Sequence, residues 1–184
     1  MLSKRVMNNL FNIATKQSFP IGLVLILALA RLIPHPPNFT PIIAAAIMSS
    51  YFFKSINLSI LVLLVAMLIS DLFFGFYENL IFVYVSLILI TFTFFKIGKK
   101  INFKNLFIFS FAGAFIFFII SNLGVWVLGS PGISNVSYEK NLSGLVQCYI
   151  LAIPFFANTL LSTLIFSYPV LYIYKYLPAW SNSR

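Results

Sequence analysis

The feature that most constrains this chain is a succession of long apolar runs that follow one another with few charged residues between them. Of its 184 residues, 61% are hydrophobic and only 8% are charged. A soluble domain carries roughly 25% charged residues, because its surface must face water. Since this chain has too few charges to cover such a surface, the sequence predicts an integral membrane protein.

Six apolar runs approach the length of about 20 residues that a transmembrane helix needs. We therefore predict an all-α membrane protein of six transmembrane helices, with spans at 19–33, 39–53, 58–76, 80–95, 106–128 and 144–176. Residues 19–176 would form the transmembrane domain, between a cytoplasmic N-terminal segment, 1–18, and a cytoplasmic tail, 177–184. The sixth run is too long for one straight crossing and contains Pro154 and Pro169, so we expect it to tilt, to kink or to begin with an interfacial piece.

The distribution of positive charge predicts the topology, because Lys and Arg accumulate in short cytoplasmic loops. With six spans and both termini in the cytoplasm, the cytoplasmic side holds Lys4, Arg5, Lys16, Lys54, Lys96, Lys99, Lys100, Lys104, Lys175 and Arg184. The opposite side holds only Lys140 and Arg31, and the acidic residues Asp71, Glu78 and Glu139 lie on it or near it. We expect this orientation in a bacterial inner membrane. The net charge of +9 is then a topology signal and does not indicate nucleic-acid binding.

Polar side chains within the spans gather at one depth, and such residues are costly in a bilayer. The outer half contains the candidate substrate-binding residues Arg31, His35, Asn38, Asp71, Asn122, Trp126, Tyr149 and Asn158, with Gln147 nearby. The inner half is almost purely apolar. This pattern predicts a pocket that opens to the outer face, with residues 129–143 as a lid. Arg31 would meet an anionic or carbonyl group, the Asn amides would orient the ligand and Trp126 would stack on a ring, with further aromatic walls from Tyr51, Tyr149 and Phe155.

A packing interpretation stands beside the pocket. Arg31 and Asp71 can pair with each other and fix the helices, and His35 is an ordinary loop residue among prolines. Trp126 suits the interfacial aromatic belt, and the Asn side chains suit hydrogen bonds between helices. Small residues also allow close helix approach, either within the bundle or against another membrane protein: Ala45, Ala46, Ser49, Ser50, Ala112, Gly113 and Ala114.

The motifs of common catalytic and cofactor sites are missing from the sequence. It contains no phosphate-binding loop, no His-Glu-x-x-His zinc motif, no paired carboxylates at catalytic spacing and no nucleophile elbow. The lone Cys148 has no partner for a disulfide or a thiolate metal site. We therefore predict a protein that binds rather than catalyses, with no metal and no cofactor.

Residues 31–41, RLIPHPPNFTP, resemble the opening of an uncharacterised bacterial membrane family with the motif R-x-x-P-H-P-P-N-x-T-P. The stretches 120–126, 144–149 and 152–160 are similar to that family too. The family in turn resembles the S components of energy-coupling factor vitamin transporters. Those are six-helix proteins that capture a vitamin near the outer surface and borrow ATP-driven motion from a transmembrane coupling protein and paired ATPases. This chain departs from them in span one, where Ala28 and Ala30 are two residues apart and form no A-x-x-x-A motif.

The resemblance implies an S-component-like bundle whose partners are membrane lipid, a small-molecule substrate, a coupling protein and ATPase subunits, without nucleic acid. The predicted function is that of a substrate-binding membrane subunit for uptake of a vitamin or vitamin precursor. The alternative is a non-transporting polytopic scaffold, such as a cell-shape or envelope assembly protein. An outward cavity lined by the polar residues would favour the first, and a solid bundle would favour the second.

Overall fold

The computed structural model describes Ser18 and residues 20–97, 101–129 and 137–176. Six helices lie in these residues: α1 Pro20–Leu32, which ends in the 3-10 turn Ala30–Leu32, α2 Ile42–Phe52, α3 Ile56–Phe74, α4 Leu80–Ile97, α5 Leu106–Leu128 and α6 Leu142–Tyr176. The prediction of an all-α chain is confirmed, and the bounds of α5 are those predicted. The N-terminal segment before Ser18, the tail 177–184 and residues 130–136 of the predicted lid lie outside the described residues.

The four helices α3 to α6 are long and apolar enough to cross a membrane. They contain 19, 18, 23 and 35 residues, and their most apolar 18-residue windows have mean hydropathies between 1.8 and 2.4. Their outward faces carry large apolar side chains, such as Leu72 and Phe73, which are 65% and 73% exposed. Surfaces of this kind are stable against lipid and not against water, so the protein is a membrane protein.

Helix α2 is short and lies inside the bundle. It packs against α3, α4, α5 and α6, and ten of its 11 residues are buried. Its length is about 16 Å, well below a hydrocarbon thickness of about 30 Å. The predicted span 39–53 is therefore longer than the helix. The chain before Ile42 cannot be helical, because Pro41 follows a turn in which Asn38 adopts a left-handed φ of 60°.

The small residues singled out in the sequence pack within this bundle. Ala45, Ala46 and Ser49 are completely buried on α2. On α5, a Cβ atom added to Gly113 would lie 3.1 Å from side-chain atoms of both Ile43 and Ile47. Glycine at this position therefore lets α5 approach α2 closely.

The helices place charge unequally at the two ends of the bundle, which we name by Arg31 and Lys54. The Arg31 end contains the C-terminal ends of α1, α3 and α5 and the N-terminal ends of α2, α4 and α6. Among the described residues, all three carboxylates, Asp71, Glu78 and Glu139, belong to this end. The Lys54 end carries Lys54, Lys96, Lys104 and Lys175.

Helix α6 is one continuous helix of 35 residues that contains both Pro154 and Pro169. At 1.5 Å per residue it is about 52 Å long. It begins two residues before the predicted span and exceeds any single straight crossing, as its sequence indicated.

Candidate functional site

An ion pair between Arg31 and Asp71 joins α1 to α3 at the Arg31 end. Arg31 Nη1 donates to Asp71 Oδ1 and to Ser70 Oγ, the latter at 3.1 Å. The Asp71 side chain is completely buried, and the Arg31 side chain is only 12% exposed. The predicted pairing of these two residues is confirmed.

Neighbouring side chains complete this ion pair. Asp71 Oδ2 accepts a hydrogen bond of 2.8 Å from the Tyr84 hydroxyl of α4, and Arg31 Cζ lies 5.2 Å from the centre of the Phe74 ring. Both carboxylate oxygens therefore have donors, as a buried charge requires.

The connection from α3 to α4 turns sharply next to the ion pair. Gly75 ends α3 with φ +83°, a value that L side chains rarely adopt, and its N–H donates to the Asp71 carbonyl at 2.8 Å. Tyr77 and Asn79 follow this turn. Burial raises the pKa of the Tyr77 phenol, while the nearby Arg31 charge opposes the shift, so Tyr77 stays a neutral hydrogen-bonding group at neutral pH.

A cavity of about 270 Å³ lies beside this ion pair. Its polar lining consists of Arg31, Asn38, Thr40, Tyr77, Asn79, Ser121, Asn122 and Thr159, and its apolar lining consists of Ile42, Ile43, Val83, Phe117 and Val125. All six helices except α3 contribute to it directly, and α3 contributes Asp71 as the ion-pair partner of Arg31. Of the predicted site residues, the structure brings Arg31, Asn38 and Asn122 together in this lining.

Three other candidates support the cavity without lining its described wall. Asp71 forms the ion pair with Arg31. Asn158 Nδ2 donates to the Pro37 carbonyl at 3.0 Å. His35 Nε2 lies 3.1 Å from the Arg31 carbonyl, so a ring protonated at Nε2 caps the end of α1.

Trp126 and Tyr149 bind other parts of the protein. Trp126 Nε1 donates to the Glu139 carbonyl at 2.9 Å, and Lys140 Nζ lies 5.6 Å from its ring centre. The Tyr149 hydroxyl donates to the Ile119 carbonyl at 2.7 Å, and its ring packs on Phe118. These contacts tie α5 to the start of α6, so the structure places neither aromatic ring in the described lining of the cavity.

Sequence reasoning missed five polar lining residues, Thr40, Tyr77, Asn79, Ser121 and Thr159. Asn79 is the most informative, because its Nδ2 donates to the Ser121 carbonyl at 2.9 Å while its buried Oδ1 has no hydrogen-bond partner among the described residues. Asn79 and Tyr77 lie in a helix connection, where no helical periodicity indicates the direction of a side chain. The sequence did offer one signal for these two residues, since the polar pair Tyr77 and Asn79 closely follows Gly75, which ends α3.

Three side chains of α6 fasten the segment that leads into α2. Asn158, Thr159 and Ser162 donate to the carbonyls of Pro37, Asn38 and Thr40, at 3.0, 3.4 and 3.0 Å. Non-helical backbone in a membrane protein needs such partners for its carbonyl groups, since it lacks the hydrogen bonds of a helix. The segment 37–40 is thus held against α6, where it forms one side of the cavity.

A second cavity, of about 420 Å³, lies at the Lys54 end. It is lined by Ser50, Tyr51, Phe52, Phe53, Lys54, Phe95 and Tyr174. Tyr51 belongs to this cavity and packs on Tyr174, with ring centres 5.6 Å apart, so it is not a wall of the first cavity as the sequence suggested. The buried middle of α2, from Ala44 to Ser49, separates the two cavities.

The fold and the cavity define an all-α membrane protein with a cavity, lined largely by polar residues, at the Arg31 end of its bundle. The sequence matches the model of DUF6580, a family of unknown function, over residues 11–182, and the chain belongs to this family. Neither the curated proteins nor the solved structures contain a significant match to the chain.

Proposed function

We propose that this protein is the substrate-binding membrane subunit of an uptake transporter for a small molecule, of the size of a vitamin or a vitamin precursor. In this proposal six spans cross a bacterial inner membrane, both termini are cytoplasmic and the cavity at the Arg31 end opens to the outer face. The positive charge of the Lys54 end supports this orientation.

The observation that carries the proposal is the convergence of eight polar residues from three helices and two connections on one cavity. Ligand sites commonly join a few oriented polar groups to apolar walls. Here Asn38, Asn122 and Thr159 supply neutral donors and acceptors, while Phe117 and Ile43 supply an apolar wall. A volume of about 270 Å³ is slightly below the range of roughly 300–1,000 Å³ for drug-sized ligands, which favours a small metabolite.

An energy source must come from a partner in this proposal. The sequence has no phosphate-binding loop, and three carboxylates in the chain offer little for coupling to protons or sodium. The resemblance to S components supports a transmembrane coupling protein with ATPase subunits as that partner. Cells that express this chain without such a partner should then bind the substrate without accumulating it.

The scaffold alternative also has a specific observation in its favour. The ion pair of Arg31 with Asp71, and the bonds from α6 to residues 37–40, give polar residues a packing role that needs no ligand. A scaffold would use its outer surface for partners, and its cavity would stay without a ligand.

Ligand binding by the purified protein separates these functions. A thermal-shift screen of water-soluble vitamins and their precursors, followed by titration calorimetry, should find one compound that stabilises the protein without any ATPase. Asn122→Ala should weaken its binding by about 1–3 kcal/mol, because a polar partner of the ligand is lost. Trp126→Ala is the matched control on the same helix, and it should leave binding unchanged because Trp126 contacts Glu139 and Lys140 instead.

Two results would contradict the proposal. One is a screen in which no compound raises the melting temperature of the protein. The other is a ligand whose binding is weakened by Trp126→Ala and not by Asn122→Ala, which would place the site elsewhere.

A further inference from the structure

We propose that the cavity selects uncharged ligands that carry a carbonyl or amide group, and that Asp71 sets this selectivity by neutralising the charge of Arg31. This inference rests on the proposed function, since it assumes that the cavity at the Arg31 end binds a ligand. It narrows the ligand to one charge class, which the sequence had left open between anionic and carbonyl groups.

The formal charge of the site is balanced before any ligand arrives. Among the described lining residues, Arg31 is the only one that carries a formal charge at neutral pH. Its counter-ion, Asp71, is completely buried and is not among the described lining residues. The remaining polar lining consists of amides, hydroxyls and the Tyr77 phenol, which are all neutral.

Arg31 still has hydrogen-bond donors to offer. Its bonds to Asp71 and to Ser70 both use Nη1, and the Tyr77 phenol is a further hydrogen-bond partner of its side chain. The guanidinium is a planar fork with further N–H groups on Nη2 and Nε. The cavity thus contains an arginine whose charge is compensated while some of its donors remain, and a carbonyl oxygen suits such a group.

An anionic ligand fits this arrangement poorly. Its charge would have to share Arg31 with Asp71, and two negative charges around one buried guanidinium repel each other. Burying a charge without a full counter-charge is costly, whereas a hydrogen-bonded carbonyl or amide loses little on transfer. A cationic ligand would meet Arg31 itself and no carboxylate in the described lining.

The test compares isosteric ligands that differ in charge. Nicotinamide and nicotinate serve as the first pair of probes, and every compound found in the vitamin screen is measured beside its own amide or acid counterpart by titration calorimetry in detergent. On the unaltered protein, the uncharged member of a pair should bind at least about tenfold more tightly than the anion. In Asp71→Asn the same preference should shift by at least about tenfold toward the anion, because the counter-charge of Arg31 is removed.

Glu78→Gln is the control, since it removes one negative charge from an exposed residue at the same end. It should leave the preference unchanged. If the anion binds as tightly as the amide on the unaltered protein, or if Glu78→Gln shifts the preference as much as Asp71→Asn, the charge assignment is wrong while the proposed function stands. If no compound of either class binds, both fail together. Should Asp71→Asn not fold, the comparison on the unaltered protein decides alone.

Discussion

Arg31 connects the parts of the protein that meet at the cavity. One nitrogen of its guanidinium holds the carboxylate and the hydroxyl of two consecutive residues of α3, and its backbone carbonyl is capped by His35. Because Asp71 also accepts from Tyr84, the same ion pair links α1, α3 and α4. The stability of this end and the charge of the cavity therefore depend on the same two side chains.

Removing one partner of this pair should lower the free energy of unfolding much more than removing both. We expect Asp71→Ala to lower the free energy of unfolding by about 3–5 kcal/mol, since it leaves a buried guanidinium without its counter-charge. The double variant Arg31→Met with Asp71→Leu should lose less than Asp71→Ala alone, because apolar side chains of similar size need no partner. Unfolding by SDS titration in mixed micelles measures both values. A double variant that loses as much stability as Asp71→Ala, or more, would show that the two residues do not stabilise the fold as a pair.

Two serines on α6 give a sharper test of the bonds that hold residues 37–40. Ser162 Oγ lies 3.0 Å from the Thr40 carbonyl and 2.9 Å from the Thr159 carbonyl, whereas the buried Ser167 Oγ has no partner among the described residues. Ser162→Ala should lower the free energy of unfolding by about 0.5–1 kcal/mol, and Ser167→Ala should leave it unchanged or raise it. Equal effects of the two substitutions in the same SDS titration would contradict this account of the segment.

At the residue scale, the sequence predicted the ion pair because two charges at equal depth in a bilayer need each other. It did not predict Tyr77, Asn79 or Thr40, because the direction of a side chain in a connection depends on backbone angles such as those of Gly75 and Asn38. Trp126 lies at the predicted depth, yet its indole N–H turns to Glu139. Depth along a helix is thus readable from sequence, whereas the direction of a side chain around it is not.

At the element scale, α2 shows that hydropathy alone does not distinguish a lipid-facing helix from one enclosed by protein. Its residues are apolar or small on all faces, and the same composition suits a lipid-facing span or a helix enclosed by protein. The structure encloses it, because Ala45, Ala46, Ser49 and Gly113 permit close contacts on several sides. The bounds of α5, Leu106–Leu128, were predicted fully from its apolar run, and Gly129 directly after it adopts a left-handed conformation that ends the helix.

The contact between α5 and the start of α4 beside the cavity should be sensitive to an added methyl group. A Cβ atom on Gly124 would lie 2.1 Å from Asn79 Oδ1 and 2.6 Å from Phe82 Cβ. Gly124→Ala should therefore lower the free energy of unfolding by about 1–3 kcal/mol and displace Asn79 from the lining. Gly22→Ala in α1 is the control, because nothing lies within 4 Å of its added Cβ, and alanine favours a helix. Thermal unfolding of both variants in detergent measures the difference, and equal melting temperatures would contradict this packing.

At the scale of the whole molecule, the orientation in the membrane follows from charge. We expect the Lys54 end to face the cytoplasm, because four of the five described lysines lie there. In a Cys148→Ala background, a cysteine at Lys104 should resist a membrane-impermeant maleimide added to intact cells, and one at Glu78 should react. Both positions are exposed in the protein, so lysis should make both reactive. The reverse pattern in intact cells would invert the topology.

The most direct test of the binding cavity is to fill it with a large side chain and to compare the effect with the same substitution on the outer surface of the same helix. Val125 lines the cavity, while Val127, two residues further along α5, is 48% exposed on its outer surface. With the compound that most stabilises the unaltered protein, titration calorimetry should show that Val125→Trp abolishes binding, because the indole occupies the ligand volume. Val127→Trp should bind the compound as the unaltered protein does. If Val125→Trp still binds the compound with unchanged affinity, the cavity at the Arg31 end is not the ligand site.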